Sequence, residues 1–238
     1  MSKPLLTVTL NPALDLTGHI GQIKVGSVNV VKSGSLHPAG KGINVARVLR
    51  DFGADVAVTG ILGAGNQQAF RDLFAQCGLT DHFMAVPGDT RINVKMVEEN
   101  GEVTDLNFPG VAVADDELKE FEARLLRQAE QYEYVVVAGS LPRGISAEAS
   151  RDLIAKLQQK GAKVLFDSSK EALVKGLEAK PFLIKPNEVE LAEWAGRPLD
   201  TEADLRAEAE KLRAAGITNV VISRGPDGVL WLADNEWW

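Results

Sequence analysis

The sequence predicts an α/β fold, a mostly parallel sheet with helices on both faces. Three observations carry that reading. Apolar, β-branched runs alternate with helix-period segments along most of the chain, and repeated strand–helix pairs build parallel sheets. The run Tyr134-Val-Val-Val-Ala138 is apolar throughout, as expected of a strand covered on both faces. Several strands also stop at glycines or polar residues that fall on one sheet edge, where α/β sheets bind ligands.

Taken in order, residues 5–10 form a β-branched strand that ends at the turn signal Asn11-Pro12. Asp15 comes just past that strand, either as a turn or cap residue or as a group facing the edge. A glycine loop, residues 39–42, then feeds a helix on which Val45, Val48, Leu49 and Phe52 recur at helical spacing before Gly53. Residues 55–62 are a strand and 67–76 a helix closed by Gly78. Asp115-Asp-Glu117 opens a helix with Leu118, Phe121 and Leu125 on one face, its acidic start suiting the dipole. Further on, 147–160 is a helix, 163–167 and 182–185 strands, 188–195 and 201–215 helices, and 219–223 and 228–233 strands.

Two stretches differ. Residues 16–33 and 90–110 alternate apolar with polar, and Asn100-Gly101 supplies a type I′ hairpin turn in the second. Such strands bury one face, so these two excursions read as a small separate sheet covering the site or pairing with a second subunit.

The glycine loop brings the backbone close to a ligand and ends on helix N–H groups. It is not a Walker loop, because Ser35 stands where the first glycine belongs and Gly42 where the hydroxyl belongs. Asn44 lies in the first helical turn, where its amide can donate and accept. Strand ends at Gly139-Ser140, Asp167-Ser-Ser169, Lys185-Pro-Asn187 and Ser223-Arg-Gly225 join Asp15 and the loop on one edge. That is a predicted cleft. Lys41, Arg91 and Lys185 are its cations, and the planar fork of Arg91 suits a phosphate. Asn187 and Glu190 have the spacing of a capping box, and equally of a water-mediated Mg2+ contact.

The net charge of -7 argues against a nucleic-acid or membrane surface. Cys77 stands alone, so no intramolecular disulfide forms and a reducing, cytoplasmic setting is expected, with Cys77 as a core residue. His19, His37 and His82 have no metal-ligand spacing.

The motifs carry a resemblance. Ala39-Gly-Lys-Gly-Ile-Asn44-Val-Ala resembles the first signature of the ribokinase-like sugar kinases, and Thr7-Val-Thr-Leu-Asn-Pro-Ala-Leu-Asp15 the opening of their phosphosugar branch. Arg91-Ile-Asn-Val-Lys95, Asn107-Phe-Pro-Gly110, Phe166-Asp-Ser-Ser-Lys-Glu-Ala-Leu173 and Glu193-Trp-Ala-Gly196 are most similar to its 1-phosphofructokinase group. Tagatose-6-phosphate kinases and the minor 6-phosphofructokinases share the general pattern.

The resemblance implies a ribokinase-like three-layer sandwich, one domain over 1–238, with lid strands from about 16–33 and 90–110 inserted in it. It implies ATP-dependent phosphorylation of fructose 1-phosphate at its 6-hydroxyl. Asp15, Gly40, Lys41, Asn44, Arg91 and Ser140 would hold the sugar phosphate. Lys185, Asn187, Ser223 and Gly225 would surround ATP, with Glu190 in the Mg2+ network. It also implies a homodimer through the lid. The family's second signature, Gly-Ala-Gly-Asp, does not occur before Trp238, so no catalytic residue is assigned in this chain. The C-terminal part of the fold is expected to be missing, and the polypeptide alone to be inactive. The reading of another class is a sugar-phosphate-binding protein without turnover.

Overall fold

The computed structural model describes residues 4–238. The first half of the chain runs β1 (Leu5–Thr9), β2 (Ala13–Ile20), β3 (Ser33–Ala39), α1 (Lys41–Asp51), β4 (Val56–Gly63), α2 (Gln68–Gln76), β5 (Thr80–Asp81) and β6 (Met84–Val86). It continues with β7 (Ile92–Glu98), β8 (Val103–Leu106), α3 (Asp115–Ala129), β9 (Tyr134–Ala138), α4 (Ala147–Gln159) and β10 (Lys163–Asp167). Next come α5 (Lys170–Glu178), β11 (Leu183–Ile184), α6 (Glu188–Ala195), α7 (Glu202–Ala214), β12 (Asn219–Ser223), β13 (Val229–Ala233) and β14 (Glu236–Trp237).

The main sheet has the order β14-β13-β12-β11-β10-β9-β1-β4-β5, with β6 also on β4. Its strands are parallel from β12 to β5, and β13 and β14 close the far side antiparallel. The expected mostly parallel α/β sheet is therefore present. The chain leaves β1 toward β4 on one side and later returns to β9 on the other. The carboxyl ends of β1 and β9 thus form a topological switch point, the crevice where open α/β sheets take ligands.

Alternation along β4 divides the core. Ala57 and Ile61 pack with Phe121, Leu125, Ile154 and Leu157 from α3 and α4. Val56, Val58 and Leu62 pack on the opposite face with Ile43 and Ala46 of α1 and Phe70 and Phe74 of α2. On that second face, Val136, Leu165 and Leu183 of β9, β10 and β11 line a groove of about 380 Å³ together with Val45 and Leu49 of α1.

The helix after the glycine loop is real, but its buried face differs from the one expected. Gly42, Ile43 and Ala46 are buried, while Val48 and Phe52 are 54% and 86% exposed. Close approach explains it. A Cβ on Gly42 would lie 2.5 Å from Thr9 Oγ1 and 3.0 Å from the Val8 carbonyl oxygen, so the small side of α1 faces β1. Val45 and Leu49 are left on the groove side, and Val48 and Phe52 face outward.

The small sheet has the order β3-β2-β7-β8 and is built from the two expected excursions. Its strands begin and end elsewhere than expected. β2 contains Asp15, which is therefore a strand residue rather than a turn, and residues 21–32 are a turn-rich loop instead of a strand. Asn29 fixes that loop, accepting from the Lys24 N–H at 2.8 Å and donating to the Lys24 carbonyl at 3.0 Å. Opposed residues share a side. Register therefore puts Leu16, Leu36, Val94 and Leu106 on one face and Asp15, His37 and Asn93 on the other.

Candidate sugar-phosphate site

The structure places a polar cavity of about 280 Å³ at the switch point. β3 runs up to Ala39 and α1 begins at Lys41, so the expected loop shrinks to Gly40 alone. A Cβ there would meet Thr9 Cγ2 at 2.8 Å. Only glycine lets the chain pass so near β1 and start a helix pointing at the cavity. Asp15, Gly40, Lys41, Asn44, Arg91 and Ser140 all line it. Asn11, Asn93 and Ser169 line it as well.

Arg91 is the hub of the cavity wall. Its Nε donates to the Pro12 carbonyl at 3.3 Å, Nη2 to the Asn11 carbonyl at 3.0 Å, and Nη1 to the Phe108 carbonyl at 3.2 Å. Nη2 also donates to Ser140 Oγ at 3.4 Å, and Asn11 Nδ2 donates to the same oxygen at 3.1 Å. Arginine has five N–H donors, and these contacts engage four of them. The fork read from the sequence as open to a phosphate is instead spent on holding three chain segments together. What it offers the cavity is charge and the remaining N–H. Burial lowers its pKa from the ordinary arginine value, with the Asp15 charge opposing that shift, and the guanidinium remains a cation.

Asp15 accepts from Asn93 Nδ2 at 3.1 Å, across the register of β2 and β7. Lys41 Nζ lies 2.9 Å from Asp167 Oδ1, and Lys185 Nζ 3.4 Å from Asp167 Oδ2. Asp167, at the end of β10, thus joins the cavity to the residues beyond it.

The second group occupies the ends of β11 and β12. Asn187 caps α6: its Oδ1 accepts from the Glu190 N–H at 2.8 Å, and its own N–H donates to Glu190 Oε2 at 2.9 Å. The reciprocal capping box is complete. Asn187 pairs with Ser223 in an isolated bridge, and the Ser223 N–H donates to the Pro186 carbonyl at 3.0 Å. Gly225 follows at a φ of 55°, the left-handed region that favours glycine, and opens a 3₁₀ turn. Among the described residues no cluster of three or more His, Cys, Asp or Glu side chains could hold a metal. With Oε2 committed to the cap, Glu190 has Oε1 left. That fits a Mg2+ ion approached through water, since Mg2+ keeps several of its waters, and does not fit a direct protein cage.

A profile described as pfkB family carbohydrate kinase matches residues 9–237. The chain belongs to that family. Among curated relatives, the kinase is 53% identical over 237 residues to 1-phosphofructokinase from Vibrio cholerae, covering 100% of this chain and 75% of the relative. It is 49% identical over 238 residues to 1-phosphofructokinase from Escherichia coli, covering 100% and 76%. Among solved structures it is similar to phosphofructokinase-2 from Escherichia coli in complex with fructose-6-phosphate. That match has a TM-score of 0.91 at 29% identity, covering 99% of this chain and 78% of the other. The kinase therefore spans about three quarters of the length of these relatives. Family membership brings a carbohydrate acceptor and ATP as donor.

Asn93 and Asn11 in the cavity, and Asp167 beside it, were given no individual role by sequence reading. Asn93 stands two positions from Arg91 in a strand, so period-2 alternation was a usable signal. Asn11 was hidden by its obvious service as a turn residue. Asp167 was visible as a polar strand end, but its lysine partners come from segments far away in sequence.

Proposed function

We propose that this kinase fold binds fructose 1-phosphate in the switch-point cavity, for transfer of the ATP γ-phosphoryl group to the 6-hydroxyl. The products are fructose 1,6-bisphosphate and ADP. The observation that carries the reading is the convergence of Lys41, Arg91, Asn44, Ser140 and the α1 N-terminus on one polar cavity, in a chain 53% identical to a 1-phosphofructokinase. Lys41, Arg91 and the helix N-terminus supply positive potential for the sugar's phosphate. Asp15, Asn44 and Ser140 supply acceptors and donors for its hydroxyls. Lys185, Asn187, Ser223 and Gly225 take the nucleotide side, and Glu190 is the residue that would help hold Mg2+, which when bound would supply charge neutralisation for the transferring phosphoryl group.

Phosphoryl transfer also needs a group to take the hydroxyl proton. Asp15 is the carboxylate among the cavity-lining residues, and it is engaged with Asn93. Loss of a general base costs the chemical step about 10²–10⁴-fold, so a polypeptide of these 238 residues is expected to bind the sugar phosphate but to turn it over slowly. Calorimetric titration tests both points. Fructose 1-phosphate should bind at least about tenfold tighter than fructose 6-phosphate, a difference of roughly 1.4 kcal/mol. Preference for the 6-phosphate would move the assignment to the acceptor named for phosphofructokinase-2. Turnover within tenfold of a longer relative would overturn the claim of weak catalysis.

The same reading assigns the outer face of the small sheet to a homodimer. Leu16, Leu36, Ile92 and Leu106 are 37%, 49%, 41% and 52% exposed on that face, and contiguous exposed apolar surface marks an interaction site. Sedimentation equilibrium should find a dimer that Leu36→Asp converts to monomer, and a monomeric parent protein would sink the idea. Among the described residues no helix is long and apolar enough to cross a membrane, and the lone Cys77 suits the reducing cytoplasm proposed as its setting.

A further inference from the structure

We propose that Asp167 is the internal counter-ion of this site, a specificity-determining residue whose carboxylate each bound phosphate must displace. The inference rests on the assignment of Lys41 to the sugar phosphate and Lys185 to the nucleotide. The two ammoniums approach different oxygens of one carboxylate, at 2.9 and 3.4 Å. One lysine opens a helix on the cavity, and the other follows β11. Nothing in local structure requires them to meet.

The carboxylate is the fixed partner. Its side chain is 16% exposed, against 46% for Lys41 and 42% for Lys185. The backbone around it is strapped: the Gly139 N–H donates to the Asp167 carbonyl at 2.9 Å, Ser168 Oγ donates to the Gly139 carbonyl at 2.9 Å, and Asp167 pairs with Ala138 in the sheet. The lysines sit on long, flexible stems. Movement on phosphate binding therefore belongs to the lysines, which trade one anion for another.

Two consequences follow from Coulomb's law. A lone phosphate ion gains a lysine only by giving up an existing ion pair, so it binds weakly. A sugar phosphate or nucleotide adds contacts of its own and offsets that loss. The two displacements are also linked. When one ligand takes its lysine, the whole carboxylate falls to the other, and the like-charge repulsion between the lysines has already been relieved. The second phosphate ligand then binds more weakly than it would alone. Asp167 makes the sugar and nucleotide sides antagonistic while keeping both closed to stray phosphate.

The test is calorimetric titration of the full chain with inorganic phosphate, ATP and fructose 1-phosphate, for the parent protein and for Asp167→Asn. Partly exposed ion pairs are worth little each, so the asparagine variant should bind inorganic phosphate and ATP about three- to tenfold tighter. Its antagonism between ATP and fructose 1-phosphate should shrink toward none. Lys185→Gln is the second variant, in which Lys41 inherits the whole carboxylate. Fructose 1-phosphate should then bind more weakly although the substitution lies on the nucleotide side. Weaker binding of all three ligands to Asp167→Asn, or independent binding of ATP and sugar phosphate in the parent, overturns the proposal. Tighter inorganic phosphate binding with no response to fructose 1-phosphate would keep the counter-ion role and reject the sugar assignment.

Discussion

Replacing Arg91 by alanine is expected to weaken fructose 1-phosphate binding by about a hundredfold and to lower stability by about 2–3 kcal/mol. The binding loss has two sources. A cation is removed from the cavity, and the wall that carries Ser140 loses one of its two supporting donors. The stability loss arises because three carbonyls, those of Asn11, Pro12 and Phe108, lose their common donor. Hydrogen bonds from charged groups contribute about 1.5–3 kcal/mol each, and nearby water recovers part of that sum. Arg91→Lys separates the effects. It keeps the charge but has no planar fork to reach three carbonyls at once, so it should restore some binding and little stability. Thermal unfolding alongside titration checks both. An alanine variant as stable as the parent would mean that Arg91 is a ligand-facing cation and not the hub described above.

Gly42→Ala should destabilise the protein by about 2–3 kcal/mol, against the trend of helix propensity. Alanine is favoured over glycine in a helix by about 1 kcal/mol, so a remote site would gain from the change. Here the new methyl would lie 2.5 Å from Thr9 Oγ1 and 3.0 Å from the Val8 carbonyl oxygen. The second neighbour is backbone in a central strand and cannot swing aside, and overpacking of this kind costs about 1–3 kcal/mol or more. Relief comes by tilting α1 away from β1, which carries Lys41 and Asn44 out of the cavity. Sugar-phosphate affinity should fall by about tenfold or more, since 1.4 kcal/mol is tenfold. Denaturant unfolding decides the sign, and a stabilised variant would show that α1 does not rest on β1.

Much of the fold was legible because its strongest signals are local. Strands covered on both faces, such as Tyr134–Ala138 and Asn219–Ser223, are short apolar runs between turn residues, and their bounds match the sequence reading. α6 was legible from its capping box and the β7–β8 hairpin from Asn100-Gly101, although the turn is not the expected type I′, because Gly101 has a φ of 88° while Asn100 is not at positive φ. Other elements gave no such signal. Ser33–Ala39 is exposed along most of its length, so no alternation marks it as a strand. α5 was missed because Gly176 interrupts a short helix. That glycine is there for packing: a Cβ would lie 2.3 Å from the Phe166 ring. At the site, the resemblance named six of the residues that line the cavity but not what they touch. The partners of Arg91 are backbone carbonyls, which every residue has and no sequence advertises. The meeting of Lys41 with Lys185 on Asp167 depends on strand order.

The parallel pairing of β2 with β7, Leu14 opposite Ile92 and Asp15 opposite Asn93, leaves the small sheet little tolerance for changes in length. Side chains alternate with a period of two, so one inserted or deleted residue in either strand exchanges the two faces. Leu14 and Leu16 would then turn toward the cavity, and Asp15 toward the outside. The loop at 21–32 and the turn at Asn100-Gly101 lie outside the register, so insertions there leave Asp15 and Asn93 aimed at the same cavity.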